Sequence, residues 1–177
     1  PADLRPVGII PVHVGGLMLD MDRVAEFARQ HGLWVVEDAA HGLPAAFRGN
    51  AQAPWQRCGE QTAAVTCFSF YANKTITTGE GGMLVTRDAA LARRARVMRL
   101  HGMNRDAFDR FTAKVPSWYY EVVAPGFKYN LTDIAAALGL QQLKKARAFQ
   151  HARERIAAQY DAALAGLPLV LPPRPRA

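Results

Sequence analysis

The stretch Leu33-Trp34-Val35-Val36-Glu37-Asp38-Ala39-Ala40-His41-Gly42 decides the fold. Its apolar run is short and includes two β-branched residues, as in a buried strand, and it breaks off at two acids followed by small residues. Upstream, Asp20 caps a predicted helix in which Val24, Phe27 and Ala28 share one face, and Gly32 closes it. Further back, Val7-Gly8-Ile9-Ile10-Pro11-Val12 reads as a first buried strand. Strand, helix and strand of these lengths make a crossover unit, which pairs the strands in parallel with a right-handed connection. Glu37 and Asp38 then arrive at the carboxyl end of the second strand, the edge where open α/β sheets hold ligands.

Downstream, Ala63 to Phe68 and Met83 to Thr86 read as two further strands. They enclose the polar loop from Ser69 to Gly82, longer than most connections, and loops of that length without structure of their own tend to be functional. Asp88 caps a helix running to about Leu100, with Gly102 as its stop. Thr132-Asp133 starts a long helix to Gly166, with a break expected near Gly139. The fold class is α/β with a helical extension.

The chain has 177 residues, about one domain's worth, and half are hydrophobic, which excludes collagen-like, disordered and disulfide-scaffold classes. Lys and Arg number 22 against 15 Asp and Glu, a net +7 that favours anionic partners. The basic residues fall at solvated-helix spacing without interleaved aromatics, so nucleic acid is not the expected partner. Cys58 and Cys67 form neither a metal pair nor a redox pair, which fits a reducing, cytoplasmic setting. No apolar run approaches the roughly 20 residues of a membrane span, and no leader opens the chain. The first strand has no preceding element, and the chain ends in a Pro-rich extension, so the residues read as a central fragment.

Taken singly, Asp38 is a turn former, His41 a structural histidine and Lys74 a solvated loop charge. Together with Ser69 at a strand end, and with Gly79, Gly81 and Gly82 around Glu80, they share one sheet edge. An amine, a carboxylate and a hydroxyl are the parts a pyridoxal phosphate site needs: the amine for a Schiff base, the carboxylate for the pyridine nitrogen, and hydroxyl and amide donors for the phosphate. Asn130, just before the Thr132 cap, can direct an amide donor at a phosphate. His13 with Gly15-Gly16 reads as a turn, and His101 as a helix end.

These motifs stand in a characteristic order: Ile9-Ile10-Pro11-Val12-His13, Val36-Glu37-Asp38-Ala39-Ala40-His41, Cys67-Phe68-Ser69-Phe70 followed by Lys74, Gly79-Glu80-Gly81-Gly82, Leu100-His101-Gly102 and Gly126-Phe127-Lys128-Tyr129-Asn130-Leu131-Thr132-Asp133. The chain resembles the DegT/StrS-type family of pyridoxal-phosphate-dependent nucleotide-sugar aminotransferases, closest to the branch that aminates UDP-4-keto sugars, such as the UDP-4-amino-4-deoxy-arabinose aminotransferase. The resemblance implies a mixed, mainly parallel sheet with flanking helices like that of aspartate aminotransferase (fold type I). It also implies a long helix leading to a small C-terminal domain, a homodimer with shared active sites, and glutamate as donor. Lys74 falls on the Schiff-base lysine, Asp38 on the acid of the pyridine nitrogen, His41 beside the ring oxygen and Ser69 on a phosphate-binding hydroxyl. Asn130 falls on an asparagine that reaches the neighbouring subunit's cofactor. The expected organisation is a partial cofactor-binding domain over 1–102, a substrate-region loop over 103–131 with Trp118, Tyr119 and Tyr120, and the long helix with the start of the small domain over 132–177. Three alternatives stand beside this reading: a sugar dehydratase of the same fold, whose relatives carry histidine where this chain has Lys74; a non-catalytic fragment; and a basic nucleic-acid module.

Overall fold

The computed structural model describes residues 3–60, 63–104 and 120–172. The crossover unit forms from strand β1 (Gly8–Ile9), helix α1 (Met21–His31) and strand β2 (Trp34–Asp38), and β1 pairs with β2 in parallel. Asp20 caps α1 by accepting the Arg23 N–H, and Gly32 ends it in the left-handed region at φ 63°, where a glycine pays no Cβ penalty. Strands β3 (Ala46–Phe47) and β4 (Gln56–Arg57) form a separate antiparallel pair. Strand β5 (Val65–Ser69) lies parallel to β2, and β6 (Gly82–Val85) runs antiparallel to β5, giving the order β1-β2-β5-β6. The sheet is therefore mixed and mainly parallel. Helix α2 (Ala89–Met98) follows, with the Asp88 carboxylate accepting from the Ala90 and Leu91 N–H groups. Helix α3 (Asp133–Leu164) starts at the Thr132 cap, whose hydroxyl accepts the Ala135 N–H.

Register places the ligand-bearing edge. Glu37 pairs with Thr66 and Asp38 with Cys67, and β5 continues two residues further, to Ser69. Both strands thus release their chains at the same end of the sheet.

Three expectations need correction. The run Val7 to Val12 is not a buried strand: only Gly8 and Ile9 pair regularly, and Val7, Ile10 and Val12 are exposed. β1 is an edge strand that continues only as an isolated bridge from Val12 to Asp38. Phe27 leaves the buried face of α1, which is carried by Met21 and Ala28, and its ring meets His31 instead, with centroids 4.5 Å apart. Helix α3 does not break at Gly139; it is continuous for 32 residues and ends at Leu164 rather than Gly166. The glycine serves closeness instead, because a Cβ there would stand 3.1 Å from Thr78 Cγ2.

Among the described residues, buried apolar side chains are few and include Met21, Phe47, Val65 and Ile76. Ile134, Leu138, Leu140, Leu143 and Ile156 on α3 are half or more exposed, and all four residues of β6 are exposed. Among the described residues no helix is long and apolar enough to cross a membrane.

Candidate active site

Alternation along β2 sends Glu37 and Asp38 to opposite faces. Asp38 is fixed through its backbone, its N–H donating to Pro11 O at 2.9 Å and its carbonyl accepting from His13 N at 3.1 Å. Its carboxylate accepts the Ala40 N–H at 3.0 Å, the turn-forming contact expected of such an acid. Ala39 N donates to Cys67 O at 2.9 Å, so the chain stays beside β5 for one residue beyond β2. Burial first, and then the Asp38 charge, push the Cys67 thiol up from its ordinary value.

His41 follows that turn, and its Nδ1 accepts the Gly15 N–H at 3.0 Å. With Nδ1 an acceptor, Nε2 carries the ring proton and is a donor. Gly15 and Gly16, at φ 65° and 83°, make the close turn that delivers this N–H, and a Cβ on Gly16 would meet His41 O at 3.0 Å. The turn read in the sequence therefore orients His41.

Ser69 closes β5, and its hydroxyl accepts the Tyr71 N–H at 3.2 Å. The loop beyond is tied to itself: Phe70 N donates to Gly81 O, and Thr78 N and Thr77 Oγ1 both donate to Phe70 O. Ile76 and Thr78 are buried, while Thr77 N reaches Gln142 Oε1 on α3 at 3.4 Å. Lys74 is thus carried by a packed loop, its backbone N–H bonded to Tyr71 O at 3.0 Å.

A cleft of about 340 Å³ gathers His41, Ser69, Asn73, Lys74, Ile76 and Arg153 on its walls, within the size range of small-molecule sites. Among the described residues no carboxylate lines it, and no hydrogen bond or ion pair engages the Lys74 ammonium. A second cleft of about 420 Å³ lies between the end of α3 and Leu171-Pro172; of its lining residues only Asp161 carries a charge, so it offers no constellation for chemistry. The structure brings Lys74, His41 and Ser69 together, with Asp38 on the same sheet edge but not on the cleft wall. Asn130 also lies off the wall, and its side-chain oxygen accepts from the Lys128 ammonium, which leaves the amide N–H groups to donate. Trp118 and Tyr119 lie outside the described residues; Tyr120 is exposed.

Two features escaped the sequence. Arg153 reads there as part of a solvated face but lines the cleft. The available signal is its register: Gly139, Gln142, Ala146, Phe149 and Arg153 recur at three- and four-residue spacing on one face of α3, and the first two touch the loop of Lys74. The other is His13: it opens the turn as read, its carbonyl accepting the Gly16 N–H at 3.1 Å, but its side chain does more. It is fully buried, and its Nε2 meets Glu37 Oε1 at 2.8 Å, while Thr66 Oγ1 donates to Glu37 Oε2 at 2.7 Å. Leu19 N–H approaches His13 Nδ1 at 3.3 Å, so Nε2 holds the proton and donates it to the carboxylate. Burial, followed by the Glu37 charge, pushes the nearby Cys58 thiol up to about 12. Donor atoms of His13, Glu37 and Cys58 lie within 4.8 Å of one another. Metal binding would need both the imidazole and the thiol deprotonated at those atoms, whereas here each proton is in use toward Glu37, at 2.8 Å from His13 and 3.9 Å from Cys58. The cluster is a polar anchor beneath the edge that bears Asp38.

The chain belongs to the DegT/DnrJ/EryC1/StrS aminotransferase family, whose model matches residues 4–177. It is 44% identical to the spore coat polysaccharide biosynthesis protein SpsC of Bacillus subtilis over 96% of this chain and 41% of SpsC. It superposes with TM-score 0.77 on Helicobacter pylori PseC, an aminotransferase involved in the biosynthesis of pseudoaminic acid, at 32% identity, covering 92% of this chain and 39% of PseC. The PLP-form of Spr1654 from Streptococcus pneumoniae gives 0.73 at 29% identity, covering 90% of this chain and 42% of that one. The chain thus spans about two fifths of the length of these relatives and shares the fold of pyridoxal-phosphate-dependent aminotransferases over that span.

Proposed function

We propose that the protein to which these residues belong transfers an amino group from glutamate to a nucleotide-linked keto sugar, of the UDP-4-keto class, with pyridoxal 5′-phosphate as cofactor. The observation that carries this reading is the cleft holding Lys74, His41 and Ser69 beside the strand end that bears Asp38, with a lysine ammonium that no acid among the described residues engages. The donor set suits the cofactor: an amine, a ring-proton donor and a hydroxyl face a space without carboxylates. Kinship with SpsC and PseC supports a sugar acceptor.

When bound, the cofactor supplies an electron sink for the carbon that loses its proton. The Lys74 amine would anchor it and, when free, would serve as the general base and then acid that moves the donor's proton. The Asp38 carboxylate would hold the pyridine nitrogen in its protonated form, and His41, oriented by Gly15, would offer its Nε2–H as a hydrogen-bond donor to the ring oxygen. Ser69 donates to the phosphate. In a homodimer with shared sites, Asn130 donates its amide to the phosphate in the neighbouring subunit. A lysine at position 74, where sugar-deoxygenating relatives carry histidine, favours amino transfer. The same reading divides the chain into a cofactor-binding part over 1–102, a substrate-region loop over 103–131 and a helix over 132–177 leading into a small domain, in a cytoplasmic enzyme. Borohydride reduction of the full-length protein followed by peptide mapping tests it: the label is expected on Lys74, and a label confined to another lysine, or none, would overturn it.

A further inference from the structure

We infer that Arg153 of helix α3 is an oxyanion-binding residue of the Lys74 cleft, holding the carboxylate or diphosphate of a substrate rather than the cofactor; this rests on the function proposed above. Among the described residues the cleft is lined by two basic side chains, Lys74 and Arg153, and by no acid. Among the described residues the Arg153 guanidinium has neither ion pair nor hydrogen bond, and its one contact is the Phe149 ring, 5.9 Å from the centroid. The acid next to it in sequence, Glu154, is occupied by Gln150 at 3.0 Å. Two like charges around one space of about 340 Å³ repel each other until an anion separates them.

Placement on the wall follows from the helix. Gln142 accepts from the loop at Thr77, Ala146 is buried, and Arg153 falls on the same stripe two turns further on. The loop that carries Lys74 and the stripe that carries Arg153 are therefore held against each other. With Lys74 assigned to the cofactor, Arg153 remains for a second anion, and its planar fork of donors matches a carboxylate or a phosphate in bidentate geometry. Both proposed substrates bring such a group: glutamate its carboxylates, the nucleotide sugar its diphosphate.

The experiment uses the full-length protein with Arg153→Gln and Arg153→Lys, and with Arg155→Gln as a neighbouring charge control. In one arm the visible band of the holoenzyme is titrated with glutamate; in the other, UDP binding to cofactor-stripped protein is measured by calorimetry. A rise of about tenfold or more in half-saturating glutamate for Arg153→Gln identifies the donor carboxylate, and an equal loss of UDP affinity identifies the diphosphate. Arg155→Gln is expected to move neither. Arg153→Lys should recover more of a diphosphate interaction than of a bidentate carboxylate one. Unchanged values in both arms, or equal loss in the Arg155→Gln control, would overturn the assignment. A wild-type band that ignores glutamate would instead count against the proposed function, and the UDP arm would still decide Arg153.

Discussion

The floor beneath the sheet edge and the body of helix α3 are built on opposite terms. Under the edge, Glu37, His13 and Thr66 are fully buried and bonded to one another. Along α3, 32 residues bury only Ala146, and large aliphatic side chains stand exposed. The floor draws its stability from within the chain; the helix gains it from whatever packs against it. The candidate site lies where the two meet, because the Lys74 loop is tied to β5 and β6 through Phe70 and Gly81 and to α3 through Thr77 and Gln142.

The largest expected effect comes from removing the group between the two regions. Lys74→Ala in the full-length enzyme should lower transamination by about 10²–10⁴-fold or more, the scale of a lost general base, with the unfolding midpoint unchanged. A turnover within a few-fold of wild type would reject the assigned role. Next comes the floor. Glu37→Ala leaves the His13 and Thr66 donors buried without their acceptor and should cost about 2–5 kcal/mol in urea unfolding. Glu37→Gln keeps an acceptor and should cost less; a loss under about 1 kcal/mol for the alanine variant would show that the floor is not self-supporting.

Cys58 sharpens the same contrast through pH. With its thiol pushed up to about 12 by burial and by Glu37, the reactive thiolate is scarce at neutral pH. Alkylation should therefore be slow near pH 8 and keep accelerating beyond pH 9, where an ordinary thiol levels off, as followed by mass spectrometry of iodoacetamide-treated protein. Glu37→Gln should move that rise to lower pH. The smallest effect concerns the seam on the helix side. Gly139→Ala adds helix propensity worth about 1 kcal/mol but sets a methyl 3.1 Å from Thr78 Cγ2. Stability should shift by no more than about 1 kcal/mol, while cofactor affinity weakens as the loop yields; equal affinity would mean that the loop absorbs the methyl without moving Lys74.

What the sequence disclosed is what neighbours in the chain decide. Asp20, Asp88 and Thr132 cap their helices as expected, and Gly32 stops α1, because each signal acts within one turn. The parallel crossover and the shared strand-end edge were equally legible, since apolar runs of that spacing admit few topologies. Pairings across distance were not. His13 meets Glu37 across 24 residues, and no local pattern distinguishes a turn histidine from a buried one. β3 and β4 have two residues each, too few to show alternation. Arg153 reaches the cleft only because Gly139 and Gln142 fix which face of a long helix meets the loop.

The order β1-β2-β5-β6 leaves a strand at each side without a second neighbour among the described residues, and on β6 Met83, Leu84 and Val85 are all exposed. Unshielded backbone donors and acceptors beside aliphatic side chains template further strands, so these residues expressed alone should accumulate as insoluble β-rich aggregates. Charged replacements on β6 would then be the first route to a tractable sample.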